Sequence, residues 1–311
     1  MSSTMPSQST HVVLGGNGVA GRETVRALLE LGATVTSVGR QSAVTDGAQS
    51  VIADLLVAED VSRALRGAEV AYLTVGVPYS TRLWAEQWPV IVRNTVDAAL
   101  ENGTHLVYLD NVYAYGPVDG PMTEQTPVRA TSKKGRIRAA ALRTLEEGAA
   151  RGLTVTIGRS ADFYGPRAST GVFNSFALAA IAAGKTATWL FDADQPHSLS
   201  YTPDIGRALA ILGTRPEARG RTWHLPTAPA LTGRQYVELA AGSAAPTKVM
   251  GRTMMRIGAL FNASARESLE LEYQNARPYL FESGLFESTF GIAPTPIADG
   301  IAASLAAESR G

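Results

Sequence analysis

Over its first half the chain alternates short apolar runs with amphipathic helical stretches, and that rhythm restricts its folds more than any other feature. Residues 11–14 read as a strand, 19–31 as a helix ended by Gly32, and 34–38 as a second strand. Residues 51–53 and 69–75 read as two further strands, with helices expected over 59–66 and 81–100. A fifth strand over 106–109, an Ala-rich helix over 136–150 and a sixth strand over 153–158 complete the series. Parallel strands joined by helices need right-handed crossovers, so the expected fold class is α/β, a doubly wound parallel sheet with helices on both faces. After Pro166 the rhythm loosens. The expected division is a disordered tail over 1–10, a sheet domain over 11–166, and a smaller region over 167–311 that shapes a pocket and returns segments to the sheet.

Composition narrows the chemistry. Lys plus Arg equals Asp plus Glu at 28 each, which leaves no basic excess to attract nucleic acid or anionic lipid. With no cysteine, disulfides, thiolate nucleophiles and Cys-ligated metals are excluded. The four histidines, His11, His105, His197 and His224, fall at no metal-ligand spacing, so no metal is expected. The first ten residues lack the basic start and apolar run of a signal peptide, and the chain is expected in the cytoplasm. Its longest apolar stretch, 176–183, is well short of the roughly 18 residues that span a bilayer, so no membrane partner is expected. What remains is chemistry by Ser, Thr, Tyr, Lys and carboxylates, or by a bound cofactor.

The segment VVLGGNGVAGRETVRALLELG places Gly15, Gly18 and Gly21 directly after the first strand, where the first helix opens. Glycines there permit a tight turn, close approach of backbone to a pyrophosphate, and tight packing of helix on strand. With strand before and helix after, this is a dinucleotide-binding loop of Rossmann type, with Asn17, Val19 and Ala20 as further contacts. From Leu31 to Thr45 there is no carboxylate to hold ribose hydroxyls. Arg40 stands instead at the end of the second strand, with Arg22 just past the glycine loop, and a guanidinium suits a 2'-phosphate. NADP(H) is therefore the expected cofactor, the alternative being that both are ordinary surface arginines. Asp54 and Leu55 follow the third strand as an adenine contact, and Thr74, Val75 and Gly76 follow the fourth beside the cofactor's path.

Taken with DNVYAYGP at 110–117, RSADFYGP at 159–166 and HSLSYTPDIGRAL at 197–209, the sequence resembles the extended short-chain dehydrogenase/reductases, the group of NAD-dependent nucleotide-sugar epimerases and dehydratases. The resemblance covers nearly the whole chain and implies cofactor contacts from Asp162 and Phe163. It also implies a Tyr-x-x-x-Lys pair after the fifth strand and a Ser or Thr at that strand's end. Neither is present: none of the ten tyrosines is followed four positions later by lysine. If Lys134 takes the lysine position, where it would hold the cofactor ribose, Ala130 stands in for tyrosine; an ungapped match gives Thr131 and Gly135. Asn111 occupies the Ser/Thr position, and an amide can donate to a carbonyl but cannot relay a proton. Tyr113 stands where sugar dehydratases of the family carry an acid, so it either supplies the missing phenol or forms part of the pocket wall.

These substitutions point to NADPH-dependent reduction of a carbonyl that is already activated, with Asn111, Tyr113 and Lys134 as the candidate catalytic set. The resemblance brings Val77, Tyr79, Tyr113, Phe163, Phe173 and His197 to the substrate, a lining suited to a hydrophobic small molecule. Reductases of the family that lack the tyrosine and tailor aromatic polyketides are the fitting comparison. His197 is open to three readings: a hydrogen bond to substrate, an acid, or a bond within its own loop. Two other functions stay open, an NADP(H) sensor without turnover and a cofactor-assisted epimerase or isomerase. Family likeness further suggests a homodimer formed through the helices near 81–100 and 136–150.

Overall fold

The computed structural model describes residues 9–242 and 245–308, without the side chains of residues 263 and 264. Of the expected tail, residues 1–8 lie outside the described residues. Ser9 and Thr10 do not belong to a tail: the Ser9 hydroxyl bonds His11, and Thr10 is the first residue of a strand.

In chain order the first half contains β1 (Thr10–Leu14), α1 (Val19–Glu30), β2 (Thr34–Gly39), β3 (Gln49–Ile52), α2 (Ala58–Leu65), β4 (Val70–Leu73), α3 (Thr81–Asn102), β5 (His105–Asn111), α4 (Lys133–Ala150) and β6 (Val155–Ser160). The second half adds β7 (Asp162–Tyr164), α5 (Ala179–Ala182), β8 (Ala187–Leu190), β9 (Pro196–His197), β10 (Leu199–Tyr201), α6 (Thr202–Thr214) and β11 (Thr222–His224). It ends with β12 (Leu231–Thr232), α7 (Gly233–Ala241), β13 (Thr247–Met250), α8 (Arg252–Phe261), α9 (Ala263–Leu269), α10 (Glu272–Asn275), α11 (Gly284–Phe290) and α12 (Ile297–Glu308).

Seven parallel strands form one sheet in the order β11-β6-β5-β4-β1-β2-β3. The order reverses at β1, which lies between β2 and β4, and this opens a crevice at the carboxyl edge of the sheet. Alternation along each strand feeds two cores. Val12 and Leu14 of β1 and Leu106 and Tyr108 of β5 meet Trp84, Trp88 and Leu142 on one face. Val13 and Val107 meet Val25, Leu28, Leu209 and Trp223 on the other. A third core of Tyr164, Phe173, Trp189 and Tyr236 is gathered from β7, β8, α7 and the segment before α5, where the short strands pair as β7 with β10 and β8 with β13.

Two boundaries differ from the sequence reading, with consequences for the site. The α4 helix starts three residues earlier than expected, because the Ser132 hydroxyl caps it by accepting the Gly135 N–H at 2.9 Å. Lys134 therefore lies in the first turn of the helix, and Ala130 in the loop before it. The β4 strand ends at Leu73, which leaves Thr74 to Gly76 as irregular backbone crossing the crevice.

Candidate active site

The glycine loop is shaped by what a side chain would strike. Gly15 sits at φ +88°, and a Cβ there would lie 2.6 Å from the Val75 Cα. At Gly21 a Cβ would lie 2.1 Å from the Gly15 carbonyl oxygen, so α1 can approach the turn only because that atom is missing. Gly18 caps α1 with no side-chain hydrogen bond, and its carbonyl accepts the Arg22 N–H. The N–H groups of Val19, Ala20 and Gly21 are left without helical partners and with no acidic residue in the first turn, a cradle for phosphate oxygens. Gly76 faces open space across the crevice.

Arg22 does not join Arg40. Its guanidinium donates to the Arg167 carbonyl at 2.5 Å. That carbonyl is presented by a left-handed turn at Arg167, φ +57°. The Arg22 Nε is buried with no hydrogen-bond partner, 4.0 Å from the Glu23 carboxylate, and burial lowers its pKa against the opposing pull of that carboxylate. A half-satisfied cation at the mouth of the glycine loop fits a pyrophosphate better than a 2'-phosphate.

Arg40 itself is exposed beyond the end of β2, with no partner among the described residues. Asn17, expected on the cofactor, spends its side chain on the loop that follows Arg40. Its Nδ2 donates to the Ser42 carbonyl at 2.7 Å and its Oδ1 accepts the Val44 N–H at 3.1 Å. It is thus a positioning residue. The Thr74 hydroxyl is likewise buried and donates to the Leu14 carbonyl at 3.1 Å, which ties β4 to β1 rather than reaching a ligand. Asp54 is half-buried and accepts the Leu56 N–H at the end of β3, where Leu55 is buried and held through its carbonyl by Asn94.

At the other end of the crevice, Asn111 closes β5 and its Oδ1 accepts the Tyr113 N–H at 3.1 Å, capping a single 3-10 turn. Its amide nitrogen has no partner among the described residues. Tyr113 lies on Trp84 with ring centroids 6.1 Å apart, and Trp84 bonds the Val77 and Pro78 carbonyls. Trp84 also meets Tyr79 edge-on, completing an aromatic wall. Burial pushes the Tyr113 phenol well above its ordinary pKa, the neighbouring Tyr79 and Asp162 push it further, and no cation opposes them.

Lys134 is not free to hold a ribose. Its side chain is wholly buried, and its Nζ donates to the Glu267 carboxylate and, at 3.0 Å, to the Thr81 hydroxyl. A second carboxylate, Glu270, stands 3.7 Å from the Nζ and accepts the Lys134 N–H at 2.6 Å, while the Tyr79 ring covers the ammonium at 4.4 Å. Burial raises the Glu267 pKa, but hydrogen bonds from Lys134 and Thr81 outweigh it and hold the group below its ordinary value. The sequence reading missed both acids because nothing local marks residues 133 and 136 positions away as partners of Lys134.

Three further features went unread. Asp110, beside Asn111, is buried between Arg138 at 2.6 Å and Arg159 at 2.8 Å. Burial raises its pKa, yet the two guanidiniums outweigh that and the carboxylate stays ionised. Second, Asp162 opens β7 and pairs through Oδ2 with His197 Nε2 at 3.0 Å. Third, Tyr279 stacks on the His197 ring at 4.3 Å and its hydroxyl oxygen accepts the Asp162 N–H. Asp162, Phe163, Phe173, Trp189 and His197 line a small cleft. Phe173 is also a core residue, packed on Trp189 and Tyr236.

The family model described as the NAD dependent epimerase/dehydratase family matches residues 11–225. A search of the curated proteins finds no significant match. Among solved structures, MoeE5 in complex with UDP-glucose and NAD is 20% identical, with 97% of this chain and 99% of that one covered and a TM-score of 0.78. The UDP-glucose 4-epimerase of Thermus thermophilus, in complex with NAD, is 21% identical over 97% and 99% of the two chains, with a TM-score of 0.76. DesIV, a dTDP-glucose 4,6-dehydratase of Streptomyces venezuelae, is 20% identical over 95% of each, also at 0.76. At these identities the likeness establishes the fold. Among the described residues no helix is long and apolar enough to cross a membrane.

Proposed function

We infer that this chain, which belongs to the NAD dependent epimerase/dehydratase family, is an oxidoreductase that uses NADPH to reduce an activated carbonyl on a hydrophobic small molecule. A hydroxyaryl ketone or quinone of the aromatic polyketide kind is the substrate class that suits it. One observation carries the reading: the buried lysine in the first turn of α4, Lys134, is neutralised by Glu267 and Glu270, while the Tyr113 phenol has no cation beside it. No phenol here is prepared to give up a proton. Loss of a general acid removes about 10²- to 10⁴-fold in rate, so the carbonyl is expected to arrive already polarised.

The nicotinamide, when bound, supplies the hydride. The N–H groups of Val19 to Gly21 and the Arg22 guanidinium suit the pyrophosphate. Arg40 suits the 2'-phosphate, with Asp54 toward the adenine. Asn111 donates its free amide to the substrate oxygen, and Val77, Tyr79, Trp84 and Tyr113 exclude water around it.

Stoichiometric oxidation of NADPH with a panel of ketones and quinones tests this. Internally hydrogen-bonded aryl ketones and quinones are expected to react, simple aliphatic ketones to fail, and NADH to be a poorer donor. Absence of oxidation across the panel overturns the reading. The capture of Lys134 also favours a second one, an NADP(H) sensor, for which tight NADPH binding without oxidation is the expected result.

A further inference from the structure

We propose that His197 delivers the proton to the substrate oxygen, with Asp162 as the residue that positions it. This rests on the reductase reading above. The placement comes from the sheet: Asn111 at the end of β5 is in register with Ser160 at the end of β6, and Asp162 follows two residues later. The dyad therefore stands at the same carboxyl edge as the Asn111 amide.

Of the four histidines, His197 is the one placed at the cleft beside Asp162 and Phe163. His11 is tied to Tyr72, His105 to Thr156, and His224 to Tyr115 and the Glu282 carbonyl. Burial holds the first two down to about 4 and His224 to about 3, so all three are neutral. In His197 one nitrogen is held by Asp162, and Nδ1 has no protein partner among the described residues.

The elements around the ring fix it without competing for that nitrogen. Tyr279 stacks on it, Trp189 of β8 meets it edge-on, and the Tyr236 hydroxyl of α7 donates to its backbone carbonyl. Asp162 is the one charged group paired with it among the described residues. Tyr79, Tyr113, Tyr273 and Tyr279 all have their pKa raised, by burial first and by the Asp162 charge in addition. Burial disables these four phenols as acids, which leaves the Asp162–His197 pair to supply the proton.

The carbonyl carbon gains a hydride from NADPH as its π bond breaks toward oxygen. The oxygen takes the imidazolium proton as that N–H bond breaks, leaving alcohol, NADP⁺ and neutral His197, which solvent reprotonates.

The test uses the full chain, saturating NADPH and phenanthrenequinone as the probe, with His197→Gln and Asp162→Asn as variants. In the wild type, single-turnover rate is expected to fall with rising pH along one limb. His197→Gln should lose about 10²-fold in rate and that limb, with NADPH affinity, read by fluorescence, within twofold. Independently of turnover, the imidazole NMR signals of His197 should move in Asp162→Asn, because Nε2 loses its carboxylate partner. Retention of the limb in His197→Gln, or unmoved imidazole signals in Asp162→Asn, overturns the proton role while leaving the reductase reading intact. A wild type that oxidises no NADPH with any carbonyl overturns both.

Discussion

The two ends of the crevice are held in shape by opposite means. At the glycine loop, the geometry of Gly15 to Gly21 comes from atoms that are missing, and its backbone bonds run within the loop and to the neighbouring Val38 carbonyl. At the far end, the groups beside Asn111 are fixed by charges drawn from distant parts of the chain: Glu267 and Glu270 on Lys134, Arg138 and Arg159 on Asp110, and His197 on Asp162. A steric turn is indifferent to pH and partner. A charge-assembled end depends on every partner being present, so it is the more fragile of the two and the more open to a change of chemistry.

Asp110→Ala should damage the charged end most, because it leaves two buried guanidiniums facing each other. Stripping the partner from a buried ion pair costs about 3–5 kcal/mol, so a large fall in the urea midpoint is expected, with little folded protein in the worst case. Next in size is the double variant Glu267→Gln with Glu270→Gln. Both acids are partly exposed and glutamine still accepts a hydrogen bond, so the expected loss is up to about 3 kcal/mol. Hydrogen exchange should speed in 262–275 while NADPH binding at the glycine loop survives; weakened binding of the cofactor would show that the two ends are coupled.

At the steric end, Arg40→Ala removes one charge-assisted contact and nothing structural, because the side chain is exposed. The expected cost is about 1.5–3 kcal/mol of NADPH binding, roughly 10- to 150-fold in Kd, with NADH unaffected. Equal weakening of both cofactors in a binding titration would remove the 2'-phosphate role.

Acid separates the ends more gently. His224 lies behind the charged end, bonded to Tyr115, and burial depresses its pKa from 6.5 to about 3. The unfolded chain therefore binds a proton that the folded chain refuses. Stability attributable to this group is present above pH 6.5 and is lost as pH falls below it, by about 1.4 kcal/mol per pH unit. Urea melts at pH 7 and pH 5 should differ by the summed effect of His224 and of His11 and His105, which burial also depresses, and His224→Gln should narrow the difference without abolishing it.

Legibility in the sequence follows the same division. The α/β class, the order of strands and helices and the glycine loop were readable because glycines, capping residues and apolar alternation act within a few positions. Even the misplaced start of α4 had a local sign in Ser132, three residues ahead of Gly135. The capture of Lys134 had none, since a lysine beside a cofactor and a lysine beside two glutamates have the same neighbours in sequence. The role of Asn17 was hidden for a related reason: an asparagine in a glycine loop reads as a ligand contact, and only the folded loop over 41–44 shows where its amide goes.

The smallest expected effect is the most telling about chemistry. The sequence leaves Tyr113 as either a relocated proton donor or a wall, and the structure gives its phenol burial, an aromatic bed on Trp84 and a nearby carboxylate, but no cation. A phenol in that setting is a weaker acid than free tyrosine, whereas proton donation at neutral pH needs a stronger one. Tyr113→Phe keeps the ring, its stacking and its exclusion of water, and removes only the hydroxyl. Turnover is therefore expected to change by less than about threefold, with the same pH limb, because proton transfer is not asked of this residue. A loss of about 10²-fold together with the limb would return the proton to Tyr113 and make His197 a residue that only holds its loop.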